Sequence, residues 1–340
     1  MTEDAMSCYP TGKLPQAELL RLLTPFQTTD PRVILGPALG HDAAVVDFGD
    51  RYVATKSDPI TFATEEIGWY VVHINANDIA CVGATPCWFI ATLLLPAGKT
   101  TPALAEQIFM QLQAACSEVG AALIGGHTEI THGLDRPIAV GTMLGEVAPE
   151  RLVRSDGACP GDRLLLTKGI AIEGSAILAR ELAPQLRARV TADVLARAAG
   201  FLHTPGISVV REAQLLAALE GVHAMHDPTE GGVATGIQEL VGAAGWGAVI
   251  ERVALPILPE TAALCRALDL NPLGLIASGA LLAAVAPEAL PRALETLRAA
   301  GIPAAEIGAV TEAPGVFLRD ADGVMPLPRF DRDELAHLFD

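Results

Sequence analysis

Residues 65–82, EEIGWYVVHINANDIACV, place the firmest limit on how this chain can fold. Ile67, Val71, Ile74 and Ile79 recur at near-helical spacing, and Glu65 and Glu66 stand where carboxylates favour a helix start. The segment predicts a buried helix, and a helix with so little polar surface needs other layers around it. Two side chains break the apolar pattern. Asn75 and Asp78 lie three apart and so share one helix face. A buried carboxylate is costly without a cation, a donor network or solvent in a cleft, so Asp78 points to a site as well as to a core.

The flanking sequence alternates in pattern. Residues 43–48 and 52–57 read as two strands joined through a Gly-Asp turn. CWFIATLLL reads as a fully buried strand, residues 101–119 as a second long helix, and PIAVGTMLGEV as another strand. The turn-rich stretch SDGACPGDRLLLTKG, residues 155–169, is the best place to divide the chain, giving expected domains at 1–154 and 155–340. Beyond it come a Gly-rich helix start near residue 174, a helix near 207–219, a strand at HAMHD and a helix near 231–243. Strands at GAVIERV, ALLAAV and AEIGAV follow, with helices between the later ones. This alternation predicts an α/β (α+β) chain of packed layers.

At 340 residues and 51% hydrophobic content the chain can fill a substantial core. No apolar run approaches the ~20 residues of a spanning helix, and MTEDAMSCYPTGKLPQ lacks the basic flank and apolar core of a signal peptide. The expectation is a cytoplasmic protein without a membrane segment. A formal charge of −17 argues against a nucleic-acid partner, whose binding rests on phosphate neutralisation by Lys and Arg. Small nucleotides remain compatible with it, because metal ions gathered on carboxylates can hold phosphates. The six cysteines show no CxxC pair and read as reduced, mostly buried hydrophobes.

Polar residues collect at a few places. Asp42 stands at the entrance of a strand and Asp58 at the exit of the next, with Lys56 two residues earlier. His127, Thr128 and Glu129 follow Gly125 and Gly126 just after the short strand ALIGG. Singly, each aspartate reads as a turn or cap residue and each histidine as a satisfied core or surface group. Together, carboxylates from several segments beside glycines suit magnesium-assisted phosphate binding, with Lys56 as a point charge. In HDPTEGG, residues 226–232, Asp227 before Pro228 favours a turn, and Thr229 can cap the next helix. Gly231 and Gly232 leave its first N–H groups open, which suits an anionic or polar ligand.

In order and spacing these segments resemble the aminoimidazole ribonucleotide synthetase (PurM-like) superfamily. GHDAAVV is similar to its GDDAAV, KSDPI to its TTDS, NANDIACVGATP to its VNDIAAMGA-P, and GGHTE to its GG-D/E-T. HDPTEGGVATGIQEL resembles the HDPTRGG motif of the hydrogenase-maturation factor HypE branch, as does the PGD-containing passage that starts at residue 154. The resemblance implies an N-terminal domain whose sheet pairs with that of a second subunit in a homodimer, a C-terminal α/β domain, and ATP bound with magnesium in a cleft. By motif, it implies that Asp42, Asp58 and Asp78 are metal ligands, that Asn75 supports them, and that the Gly125 to Thr128 loop approaches the phosphates. Asp227, Thr229, Glu230 and the glycines after them would face the acceptor. Catalysis would fall to Asp78, His127 and Asp227, since phosphoryl transfer needs mainly positioning and charge neutralisation.

Two anionic positions of the pattern are imidazoles here, His41 and His127. Imidazole suits zinc, iron, manganese, cobalt or nickel better than magnesium, so a changed metal at His41 and His127 is one reading. A lost cation site with the histidines donating hydrogen bonds is a second, and acid–base work a third. HypE ends in a cysteine that carries its carbamoyl group, whereas the last cysteine here is Cys265, so the expected acceptor is a free small molecule or another protein. The resemblance implies an ATP-dependent, HypE-like phosphoryl-transfer or dehydration enzyme. A small-molecule kinase resembling thiamine-monophosphate kinase and a non-catalytic nucleotide-binding scaffold are the alternatives.

Overall fold

The computed structural model describes residues 9, 12–26, 28–38, 40–61 and 65–338, and among them two mixed sheets form. The first holds β1 (Val33–Leu35), β2 (Ala44–Asp47), β3 (Tyr52–Ile60), β4 (Thr85–Pro96), β5 (Ala122–Thr131) and β6 (Ile138–Val147), in the spatial order β1-β2-β3-β6-β4-β5. The second holds β7 (Arg163–Thr167), β8 (Val222–His226), β9 (Gly247–Glu251), β10 (Leu282–Val285), β11 (Ala304–Thr311), β12 (Gly315–Asp320) and β13 (Gly323–Pro326). Its order is β13-β12-β9-β11-β7-β10-β8. The first sheet carries α2 (Ile67–Cys81) and α3 (Pro102–Val119), and α1 (Gln16–Leu23) precedes it in the chain. With the second go α4 (Ile172–Glu181), α5 (Ala183–Leu186), α6 (Ala192–Ala199), α7 (Val210–Ala217), α8 (Gly232–Ala243), α9 (Pro259–Leu268) and α10 (Leu290–Ala299). The alternation expected from the sequence is present as a mixed α/β fold.

Helix α2 explains its own composition. It lies between the first sheet and α7 of the second half, and all fifteen of its residues are buried. On one side Asn75 accepts a hydrogen bond from the Asp58 N–H (2.8 Å) and donates to the carbonyls of Asp58 and Val71. On the other, Asn77 donates to the Ile207 carbonyl and accepts from the Val209 N–H (2.8 Å). Close approach to the sheet depends on two glycines of β6. A Cβ on Gly141 would meet Asn75 Nδ2 at 2.5 Å, and one on Gly145 would meet Ile79 Cγ2 at 2.3 Å. Helix α3 begins at an N-cap, Thr101, which accepts from the Leu104 N–H, and ends at the left-handed Gly120.

Two expectations change in detail. Strand β4 is not covered on both faces: its burial alternates, with Trp88 exposed and Ile90, Thr92 and Leu94 half-buried, because helices α2 and α3 cover only one face of the sheet. Strand β5 does not stop at ALIGG. It runs through GGHTE to Thr131, parallel to β4, with a register shift at Phe89/Ile90. Gly126 lies beside that irregularity, and a Cβ there would fall 2.0 Å from the Ala91 carbonyl oxygen.

Candidate functional site

Strand β3, helix α2 and the β8–α8 junction converge on one acidic pocket. Lys56 Nζ lies 3.3 Å from Asp78 Oδ1 and 3.4 Å from Asp58 Oδ2, because Lys56 and Asp58 share a face of β3 opposite the C-terminal half of α2. One helical turn beyond Asp78, Cys81 points its thiol at Asp227 Oδ1, 3.5 Å away. Asp42, Cys81 and Asp227 are all buried, and one potential ligand atom from each lies within 4.8 Å of the others. Asp227 follows β8 directly, so chain topology sets a second-half carboxylate against the first-half helix.

His226, the residue before Asp227, completes the network. Its Nδ1 is 2.8 Å from Asp42 Oδ2 and its Nε2 is 3.2 Å from Glu239 Oε2 on α8. Burial alone would lower its pKa, but Asp42 and Glu239 outweigh that and raise it well above the usual histidine value, so the ring is an imidazolium donating to both. Burial likewise works against a charged Lys56, and Asp78, Asp58, Asp42 and Asp227 together reverse it and hold the ammonium protonated.

The carboxylates outnumber these cations. Burial is the largest cause that raises Asp78 well above the ordinary carboxylate range; Lys56 opposes it, and Asp227, Asp58 and Asp42 add to it. Asp227 is pushed up to about 7, first by burial and then by Asp42. Asp78 Oδ2 and Asp227 Oδ2 are buried without a hydrogen-bond partner. Hard carboxylate oxygens left unpaired beside further acids are the donor set that a magnesium ion takes.

The structure therefore brings Asp42, Lys56, Asp58, Asn75, Asp78 and Asp227 together, with Thr229 and Glu230 at the following turn. Lys13 Nζ sits 3.1 Å from Thr229 Oγ1, and Gly231 donates its N–H to Asp333 (2.8 Å). The two histidines lie differently. His41 bonds the Gly36 carbonyl through Nδ1 (2.9 Å). His127 is exposed on β5, three strand positions from β3, and its ion-pair partner is Glu129 at 3.5 Å. Gly125, Gly126 and Thr128 share that edge strand and so stand apart from the buried carboxylates within one chain. Sequence reasoning did not single out Cys81, His226 or Glu239. Cys81 was hidden in an apolar helix, and the partners of His226 lie far from it along the chain.

Comparison with known proteins places the chain in a family. Residues 40–147 match the family described as AIR synthase related protein, N-terminal domain, and residues 159–321 match its C-terminal domain. The carbamoyl dehydratase HypE of Cupriavidus necator is 31% identical over 279 residues, covering 81% of this chain and 75% of the relative. A crystal structure of hydrogenase maturation protein HypE in complex with ATP superposes with a TM-score of 0.72 at 25% identity, covering 96% of this chain and 98% of the other. Thiamine monophosphate kinase from Aquifex aeolicus shares the fold, with a TM-score of 0.68 at 18% identity over 89% of this chain and 96% of the kinase.

Proposed function

The chain belongs to the AIR synthase related protein family and is HypE-like within it, and from that premise we propose that it uses ATP to phosphorylate and then dehydrate a carbamoyl-type acceptor. The observation that carries this reading is the pair of unpartnered buried oxygens, Asp78 Oδ2 and Asp227 Oδ2, in an acid-rich cluster whose carboxylates are met by the cations Lys56 and His226. In this reading Asp42, Asp58 and Asp78 hold magnesium, which when bound neutralises charge on the nucleotide phosphates. Asn75 fixes the backbone at Asp58, and His226 fixes the carboxylate of Asp42. Lys56 stays charged and offers a donor to a phosphate oxygen.

Chemistry then follows the acceptor's own atoms. The carbonyl oxygen takes the γ-phosphoryl group and ADP leaves; one amide proton goes to a base, and the C–O bond breaks as phosphate departs with the second proton, leaving a nitrile-type carbon. Asp227, held near neutrality by burial at the β8–α8 turn, is the base in this scheme, with Thr229 and Glu230 beside the acceptor. The boundary between the two units falls near residue 155 in this reading.

A homodimer also belongs to it. Residues 122–130 of β5 are exposed along a sheet edge unpaired among the described residues, Leu123, Ile124 and Ile130 are apolar there, and Ile90, Leu94, Ile138, Val140 and Leu144 are half-buried on the uncovered face of the same sheet. An apolar edge and face left open favour association, and a second copy would place the Gly125 to Thr128 stretch, with His127, at the seam.

The test is product analysis with magnesium-ATP and a series of carbamoyl-bearing thiols and amides. Acceptor-dependent release of ADP and inorganic phosphate in equal amounts, lost in Asp78→Asn, is expected. ADP release with phosphate retained on the acceptor would indicate a kinase instead, and no acceptor-dependent turnover would remove the catalytic reading.

A further inference from the structure

A second set of metal-type ligands lies outside the pocket described above. Cys159, Asp162 and His223 each present one potential ligand atom within 4.8 Å of the others. Their approach comes from the fold. The turn before β7 carries Cys159 and Asp162, and the start of β8 carries His223; β10 lies between these strands in the sheet. Asp162 is buried, and its carboxylate accepts the Cys159 N–H (2.8 Å) and faces His223 Nδ1 at 2.9 and 3.0 Å.

The backbone around these residues is fixed. Gly161 N–H bonds the Val310 carbonyl, Val310 N–H bonds the Asp162 carbonyl, and Asp162 N–H bonds the Cys159 carbonyl. Gly157 packs so tightly on the strand that a Cβ there would lie 2.2 Å from the His223 carbonyl oxygen. Cys159 is exposed and the His223 ring is 35% exposed, so the cluster opens to solvent on one side. A thiolate, an imidazole and a carboxylate are the ligand types of a tetrahedral zinc centre, and three protein ligands leave a fourth position for water.

We infer that Cys159, Asp162 and His223 form a surface site for a zinc-type divalent cation, separate from the acidic pocket. Binding releases one proton from the Cys159 thiol to solvent. The neutral His223 ring shifts its single proton from Nδ1 to Nε2 with no net release, so that Nδ1 offers its lone pair to the metal in place of the bond to Asp162. The sequence hides the arrangement because its ligands come from a turn and from a strand some sixty residues later, with no CxxC or HxxxH spacing to mark it.

The experiment is titration of the full chain with cobalt(II) in excess magnesium, followed by zinc. The wild type is expected to develop a thiolate-to-cobalt absorption band and intense tetrahedral d–d bands that saturate at one equivalent and vanish on zinc addition. Cys159→Ser, at an exposed position, should lose the thiolate band with an unchanged melting curve. His223→Gln should weaken zinc binding by more than about tenfold. Cys81→Ser should keep the band. A wild type without the thiolate band, or a band that survives Cys159→Ser and disappears in Cys81→Ser, would overturn the assignment.

Discussion

At the scale of single residues the protein holds more buried acid than buried base near the β8–α8 turn. Glu173, near the start of α4, is buried with Oε2 unpartnered, and burial pushes its carboxyl from 4.5 up to about 7, with Asp333, Glu230 and Asp227 adding to the rise and Ser278 opposing it. Between those values the folded chain keeps a proton that the unfolded chain has lost, so stability from this group falls as pH rises through the window. Glu173→Gln removes the titration. In urea unfolding without nucleotide, the variant should match the wild type near pH 4 and exceed it above pH 7 by up to about 3 kcal/mol; an unchanged pH slope would show that Glu173 does not titrate in this window. Asp78 stood out as a candidate because it interrupts an apolar helix, whereas Asp42 and Asp58, at strand ends, stood out only as carboxylates from several segments beside glycines and through the family motifs. His226 and Cys81 did not stand out, since a histidine inside a turn motif and a cysteine inside a core helix look ordinary until Asp42 and Asp227 arrive from distant segments.

At the scale of elements, α2 does the joining. Asn75 pins it to β3 and Asn77 to the segment before α7, so one helix fixes both walls of the pocket. Its register on the sheet depends on β6 glycines, and Gly145→Val would drive a side chain into Ile79 and the Thr85 carbonyl. That substitution should cost about 1–3 kcal/mol in denaturant unfolding, and more if α2 cannot shift. It should also weaken nucleotide binding through Asp78, whereas a change in neither quantity would mean the helix is free to move. The sequence showed this helix within two residues at its start and one at its end, because continuous burial leaves a strong apolar signal. It did not show the length of β5, because a strand with no buried residue has no buried face to impose alternation.

For the whole molecule, the uncovered face and edge of the first sheet leave apolar side chains such as Leu123, Ile124 and Ile130 exposed, and the proposed second copy is their occupant. Sedimentation of the purified chain should give twice the single-chain mass, and Ile124→Lys with Ile130→Glu should reduce it to one chain without loss of helix content. A wild type that sediments as a single chain at micromolar concentration would remove the dimer. The proposed metal–nucleotide site comes down to one quantity, the magnesium dependence of nucleotide affinity. The most direct measurement is calorimetric titration of a non-hydrolysable ATP analogue into the wild type and Asp78→Asn, each with and without magnesium. Magnesium-dependent binding to the wild type is predicted, weakened by more than about tenfold in the variant, as loss of a ligand is no milder than loss of the partner behind it. Equal affinity in all four titrations would contradict the assignment of Asp42, Asp58 and Asp78 to a metal–nucleotide site.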